Sequence, residues 1–277
     1  MFLRSAVLSL VLVCLTLSTS RAQESDPAAL AQFDAALVKV ESDAVSLRKW
    51  QYQQVLTTRQ FDDRDRVTAE GTWKSLFRPG EKDPIQYLSE DLDGTLTFFH
   101  KSPDKEKDKA KSSNAMKVDS QSEDVQDPAQ SSNRVDSLAE AIRKYGLRDR
   151  YLWTGLPDEK AAGEDAAVIS FRPKPGVPIR TREQRFFSQL SGKIWISRED
   201  NSVLKSEGAL LEPYRLFWII ARITKLNFQY EVESRPANRL LRKSEAAAET
   251  IVSFPFKSIH QKHQLDVERY EPRSPRK

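Results

Sequence analysis

Cysteine is nearly absent: among 277 residues there is one, Cys14, and it lies in an apolar N-terminal stretch. Residues 1–22 have the three parts of a secretory leader: Arg4 as the positive start, Ala6 to Leu17 as the apolar core, and Ser20-Arg21-Ala22 as a small-x-small cleavage site. The apolar core is too short for a comfortable membrane span. Val13 stands before Cys14, where a lipid-attachment site requires a small residue, so Cys14 reads as an ordinary leader cysteine. Cleavage after Ala22 leaves a chain with no cysteine, which excludes disulfides, thiolate metal sites and a cysteine nucleophile. An exported chain without such staples must rest on its own core. Residues 23–277, about 255 in all, are enough for one large domain.

Histidine is also scarce, with only His100, His260 and His263. The last two sit in strand-like sequence, where an offset of three sends them to opposite faces, so they read as surface residues and no metal site is expected. No G-x-S-x-G, P-loop or dinucleotide fingerprint occurs. Ser202-Val203-Leu204-Lys205 fits S-x-x-K, but it lies in a hairpin and lacks the K-T-G and S-D-N partners that penicillin-recognising enzymes need. No carboxylate pair stands out for glycosidase-type chemistry. The sequence therefore points away from an enzyme, and no cofactor is expected. The 44 basic and 40 acidic residues give a net charge of +4. Loss of Arg4 and Arg21 lowers it to about +2. The signs are interspersed, so nucleic acid is not an expected partner.

What is present is amphipathic periodicity. Asp26-Pro27 reads as an N-cap followed by proline at the first helical position. Leu30, Phe33, Leu37, Val40, Ala44 and Leu47 then form one helical stripe that ends near Lys49. From Trp50 the period becomes two through Tyr52, Gln54 and Leu56, with a polar turn at Arg59 to Asp65 and a returning strand from Val67 to Phe77. Further strands are predicted at Ile85–Leu88 and Thr95–His100, around an Asp93-Gly94 turn. Ser102 to Ser132 is polar and charged and reads as a disordered insertion. Asn133 caps a second helix, carrying Val135, Leu138, Ile142 and Tyr145 on one stripe and stopping at Gly146. Strand patterns return at Tyr151–Thr154, Ala166–Arg172, Gly192–Arg198, Val203–Leu211, Leu226–Glu233 and within Leu240–Tyr270. Many antiparallel strands with two principal helices and no βαβ alternation make an α+β fold.

The stretch from Gly192 to Glu212 carries most information. Two β-rich runs flank an Asp200-Asn201 turn, the chemistry of a tight hairpin. Its first strand sets Ile194 and Ile196 on one face and Trp195 on the other. Leu216-Phe217-Trp218-Ile219-Ile220 follows as an apolar run between strands, which must be covered, inserted into a pocket or exposed for binding. Trp73, Phe98, Trp153, Phe171, Trp195, Phe228 and Tyr230 occur on separate predicted strands. Core packing is the ordinary role for such residues. Beside an apolar flap, this set is also the candidate lining of a lipid pocket: Trp73, Phe98, Trp153, Phe171, Trp195 and Phe228, with Leu216, Phe217, Trp218, Ile219 and Ile220 as its lid.

In the order of these parts the chain resembles the LolA-like outer-membrane lipoprotein-sorting family. The residues that carry the resemblance are the exported N-terminal helix, the Trp50 to Gln60 strand with its polar turn, Gly192-x-Ile194-Trp195-Ile196 before a polar turn, the Val203 to Glu212 return, and the closing strands to Tyr270. The resemblance implies a curved antiparallel sheet forming a half-open β-barrel, with helices over its concave face. It also implies a periplasmic carrier whose cavity shelters the acyl chains of lipoproteins or other lipids. Cargo would pass from an inner-membrane release complex to an outer-membrane acceptor, with transient membrane contact and no cofactor. The long insertion at Ser102 to Ser132 departs from the family, and no arginine or lid residue of the family has a match in this chain. Two rival functions stand beside the carrier: an envelope sensor that binds a membrane-protein partner on the same scaffold, and an exported hydrolase whose site converges only in three dimensions.

Overall fold

The computed structural model describes residues 24–97, 135–217, 221–233 and 238–273. The leader, Phe98, the insertion, Asn133 and the Trp218 to Ile220 part of the lid lie outside these residues, and of Phe217 only the backbone is described.

Helix α1 (Pro27–Leu47) begins as its sequence dictates. Asp26 Oδ1 accepts from the Ala28 N–H at 2.9 Å and Pro27 occupies the first turn. The buried side is Ala29, Phe33, Ala36, Ala44 and Leu47, while Leu37 and Val40 of the predicted stripe are half-buried. Small alanines let the helix axis approach the sheet, so the helix is rotated towards them. Phe33 then stacks on Trp153, with ring centroids 4.0 Å apart and planes 25° from parallel.

The strands are β1 (Trp50–Phe61), β2 (Val67–Phe77), β3 (Ile85–Asp93), β4 (Tyr151–Ala161), β5 (Glu164–Pro173), β6 (Leu190–Ser197), β7 (Val203–Leu210), β8 (Tyr214–Phe217), β9 (Ala221–Val232), β10 (Ser244–Ser253) and β11 (Ser258–Pro272). Between β3 and β4 come α2 (Val135–Lys144) and the one-turn α3 (Leu147–Arg150). Short α4 (Arg182–Phe187) precedes β6. Neither α3 nor α4 is evident from periodicity, since four to six residues are too few to display one. Two predicted boundaries also move. β1 runs on through Arg59, Gln60 and Phe61 because each pairs with β2 and β11, and β3 extends to Asp93, leaving Thr95–Thr97 outside any strand.

All eleven strands form one antiparallel sheet in the order β3-β2-β1-β11-β10-β9-β7-β6-β5-β4, with β8 attached to β9. The sheet is curved and does not close, an α+β half-open barrel. Its chain-distant seam is β1 against β11, which joins the two ends of the chain from Trp50↔Pro272 to Phe61↔His260. The Asp200-Asn201 turn is a hairpin tip as predicted, with Asn201 at φ 60° in the left-handed region that asparagine tolerates.

Alternation gives the sheet two unlike faces. The first carries Tyr151, Trp153, Ile169, Phe171, Ile194 and Ile196 and is covered by α1, Leu147 and the partly buried Ile142 and Tyr145. The second carries Arg59, Glu70, Lys193, Glu207, Glu249 and Lys262, joined across strands by the Arg59–Glu70 bond of 2.7 Å and the Lys193–Glu207 contact of 4.0 Å. At the Asp200 end a charged knot ties loops together. Glu164 accepts from Arg242 Nη2 at 2.9 Å and from the Ser197 hydroxyl at 3.2 Å, and lies 3.3 Å from Arg239 Nη2.

Candidate functional site

On the helix-covered face the aromatic residues pack against one another. Trp153 lies 5.9 Å from Phe171, and Tyr151 meets Phe171 edge-on at 5.2 Å. Trp153 donates its indole N–H to the Arg148 carbonyl at 2.8 Å, and Tyr151 donates to the Phe187 carbonyl. Trp73 is buried above Gly71, and Trp195, on the opposite face, is buried beneath Lys193 and Lys205 and donates to Glu159 at 2.8 Å. Trp73, Trp153 and Trp195, three of the four tryptophans named from the sequence, therefore sit in packed surroundings, and none lines the large hollow described next. Leu216 is half-buried on β8, whose backbone pairs with β9 through Phe217, so the first part of the predicted lid is a strand of the sheet.

A hollow of about 1290 Å³ runs across the open face. Its lining comes from strands distant in sequence: Arg59 and Phe61 of β1, Arg172 of β5, Lys193 of β6, Glu207 of β7, Gln229 of β9, Ala247 and Glu249 of β10, and Lys262 of β11, with Val67 and Leu211 at strand ends. Its apolar patches are Phe61 and Val67 at one side, Ala247 in the middle, and Ala209 and Leu211 at the other, with Asn227, Glu249 and Lys262 on the strands between. Phe171 and Phe228, both named from the sequence, stand on its strands, but their rings lie on the other, helix-covered face. Their rings lie over Gly192 and Gly208, which face each other across β6 and β7. A side chain at Gly192 would run into the Glu207 carbonyl and come within 2.8 Å of the Phe171 ring, so both positions must stay bare for the aromatic rings to lie flat.

The electrostatics of the hollow are graded. Arg59 is held to Glu70, and Lys262 sits 5.0 Å over the Phe61 ring. Arg172 is exposed and has no carboxylate partner among the described residues. Glu249 is held below the ordinary carboxylate range by its hydrogen bond from Lys225, against a smaller opposing effect of burial and with help from His260. A carboxylate whose folded pKa is lowered adds stability above its ordinary pKa and loses it as the pH falls through the lowered one. Lys225→Met should therefore destabilise the chain at neutral pH, and the gap to wild type should close towards pH about 3. Thermal unfolding at both pH values checks this; a gap of constant size would contradict it.

Arg59, Phe61, Val67, Ala247 and Lys262 had no signal in the sequence. Arg59 and Phe61 fall in what reads as a turn, and their neighbours across β11 are about 200 residues away. His260 and His263 do project to opposite faces: His260 Nε2 is 2.9 Å from Glu249, and His263 Nδ1 is 3.0 Å from the Thr58 hydroxyl. Both are partly buried rather than on the surface. Ser202 is bonded to Asp200 at 2.6 Å within its turn. Among the described residues no group of three His, Cys, Asp or Glu side chains is placed to hold a metal ion, and no helix is long and apolar enough to cross a membrane.

No protein-family profile and no curated protein sequence matches the chain. Structures similar to it include a DUF1329 family protein from Desulfovibrio piger, at 11% identity and a TM-score of 0.38, covering 90% of this chain and 94% of that one. They also include a putative outer membrane lipoprotein-sorting protein domain from Vibrio parahaemolyticus, at 12% identity and a TM-score of 0.32, covering 88% and 94%. The MucA/MucB complex of Pseudomonas aeruginosa aligns at 10% identity and a TM-score of 0.23, covering 89% and 99%. At such identities the chemistry of the site rests on this chain's own side chains.

Proposed function

We propose that the chain is an exported, non-catalytic binding protein of the bacterial envelope that carries the acyl chain of a lipid or lipoprotein. The supporting observation is the hollow of about 1290 Å³ on the open face. It exceeds the roughly 300–1,000 Å³ of ordinary small-molecule pockets. Apolar patches at Phe61 and Val67, at Ala247 and at Leu211, set among Arg59, Lys262, Lys193 and Arg172, suit an amphiphile with a long apolar tail and an anionic head. Each methylene withdrawn from water contributes about 0.8 kcal/mol, a non-directional gain that permits handover to any acceptor offering equal cover. Phe171 and Phe228 back the proposed lining from the helix-covered face. Trp73, Trp153 and Trp195 support it from their packed positions, and Trp218 to Ile220 remain the proposed lid.

Ala247 lies in mid-hollow between Gln264 and Gln229. Ala247→Trp should fill the groove and weaken binding of a fluorescent fatty-acid probe by about tenfold or more, the loss of two or more methylene contacts. Equal binding by wild type and a folded Ala247→Trp variant would exclude the open-face hollow as the lipid site.

A second reading, an envelope interaction protein, draws support from β3. It has one neighbour, β2, among the described residues, and exposes Leu88 and Leu92 at the end of the strand order. Such an edge can accept a strand from a membrane-protein partner. Cross-linking through a probe at Leu88 separates the two readings: a single envelope protein captured there, with no lipid in the hollow, favours the second.

A further inference from the structure

The β1–β2 turn, the start of β9 and the β10–β11 turn lie at the end of the sheet remote from the Glu164 knot. The last ends in Phe254-Pro255-Phe256-Lys257, closed by the Phe254 N–H donating to the Lys257 carbonyl at 2.8 Å. Phe256 is 98% exposed, more than any other large apolar residue described. A lone apolar residue on the surface is unremarkable, but a phenylalanine wholly in water at a projecting tip costs solubility and contributes no packing.

Its neighbours supply a second observation. Ser253 at the base of the tip pairs with Arg222 of β9, and Arg222 pairs directly with Arg215 of β8. Like charges placed opposite each other in an antiparallel pair destabilise it. Among the described residues neither arginine has a carboxylate partner, and the Lys257 ammonium lies 5.8 Å from the Phe254 ring. Arg182 and Arg185 act on Tyr214 from α4, with Glu183 the acidic group beside them. The acidic groups of the β1–β2 turn lie on the opposite flank, with Asp62 bound to Arg66 and Asp65 turned to His260.

We propose that this end of the sheet docks on an anionic lipid bilayer, Phe256 entering the interface while Arg215, Arg222 and Lys257 meet the headgroups. An apolar side chain on a cationic rim matches the two demands of an interfacial anchor. A protein hot spot, by contrast, sits within a ring of surrounding contacts, and nothing comparable surrounds a tip this exposed. The inference goes beyond the carrier reading and does not depend on the hollow being filled.

The test is co-sedimentation of the full mature chain with vesicles of phosphatidylcholine alone or mixed with phosphatidylglycerol. The expected result is binding to the mixed vesicles only, weakened by salt. Phe256→Ser should lower affinity about tenfold, and Arg215→Ser with Arg222→Ser and Lys257→Ser by more than tenfold. All four positions are exposed or at a tip, and circular dichroism confirms that the variants fold. Wild-type protein that ignores anionic vesicles overturns the proposal, as do variants that bind them like wild type. Vesicle-independent capture of an envelope protein by Phe256 overturns it too, in favour of protein docking. Lipid retained by purified protein reports on the hollow alone, so the carrier reading and the anchor can fail separately.

Discussion

Phe33→Ala is expected to lower the stability of the folded chain by about 3–5 kcal/mol, the range for removing a buried aromatic ring. Phe33 is 6% exposed and lies flat on Trp153, itself 3% exposed. It is the largest side chain that α1 buries in the sheet, flanked by Ala29, Ala36 and the partly buried Leu30. Alanine there leaves a ring-sized void that neighbouring alanines cannot fill. Val38→Ala, on the opposite, exposed side of α1, should change stability by less than about 0.5 kcal/mol. Urea unfolding of both variants checks the pair. Equal midpoints would mean that α1 is not held by this stack.

Glu164→Gln is expected to cost a similar amount, about 3–5 kcal/mol, by a different route. Glu164 is 8% and Arg242 6% exposed, so both charges lie out of water. Glutamine preserves the shape of Glu164 and some of its hydrogen bonding while removing the charge that faces Arg242 and Arg239. Among the described residues the Nε and Nη1 of Arg242 have no hydrogen-bond partner, so Glu164 is its main compensation. Arg242→Leu should be milder, because Glu164 would keep Arg239 and Ser197. Replacing both Glu164 and Arg242 with leucine should recover part of the loss, since a buried ion pair is worth less than its halves are costly. Denaturant midpoints of the three variants test the order. A Glu164→Gln variant as stable as wild type would show that the knot is solvated.

Much of the architecture was legible in local chemistry. Asp26-Pro27 announces the start of α1 because capping and proline both act within one turn. Trp195 against Ile194 and Ile196 announces a two-faced strand because alternation is a property of consecutive residues. The family resemblance led to the curved, unclosed sheet that the structure has. The hollow was not legible, for a physical reason. Its lining is set by register between strands far apart in the chain, such as Arg59↔Lys262 and Ala247↔Gln264, and no local pattern fixes which strand lies beside which. The tryptophans drew attention by size, yet size also makes them the best core residues, and Trp153 and Trp195 each spend their indole N–H on a partner within the fold. Leu216 and Phe217 look like a free apolar connection until the pairing of β8 with β9 is known. The Glu164 knot joins residues 78 positions apart, and its glutamate is one of many acidic residues in the sequence.

Native mass spectrometry of the protein released gently from the envelope, followed by lipid extraction, tests the central claim most directly. Wild-type protein is expected to carry a discrete added mass that matches a lipid or acylated species and that is lost or greatly reduced in Ala247→Trp. Wild-type protein that flies only at its bare polypeptide mass, with no lipid in the extract, would contradict a sheltering hollow on this face.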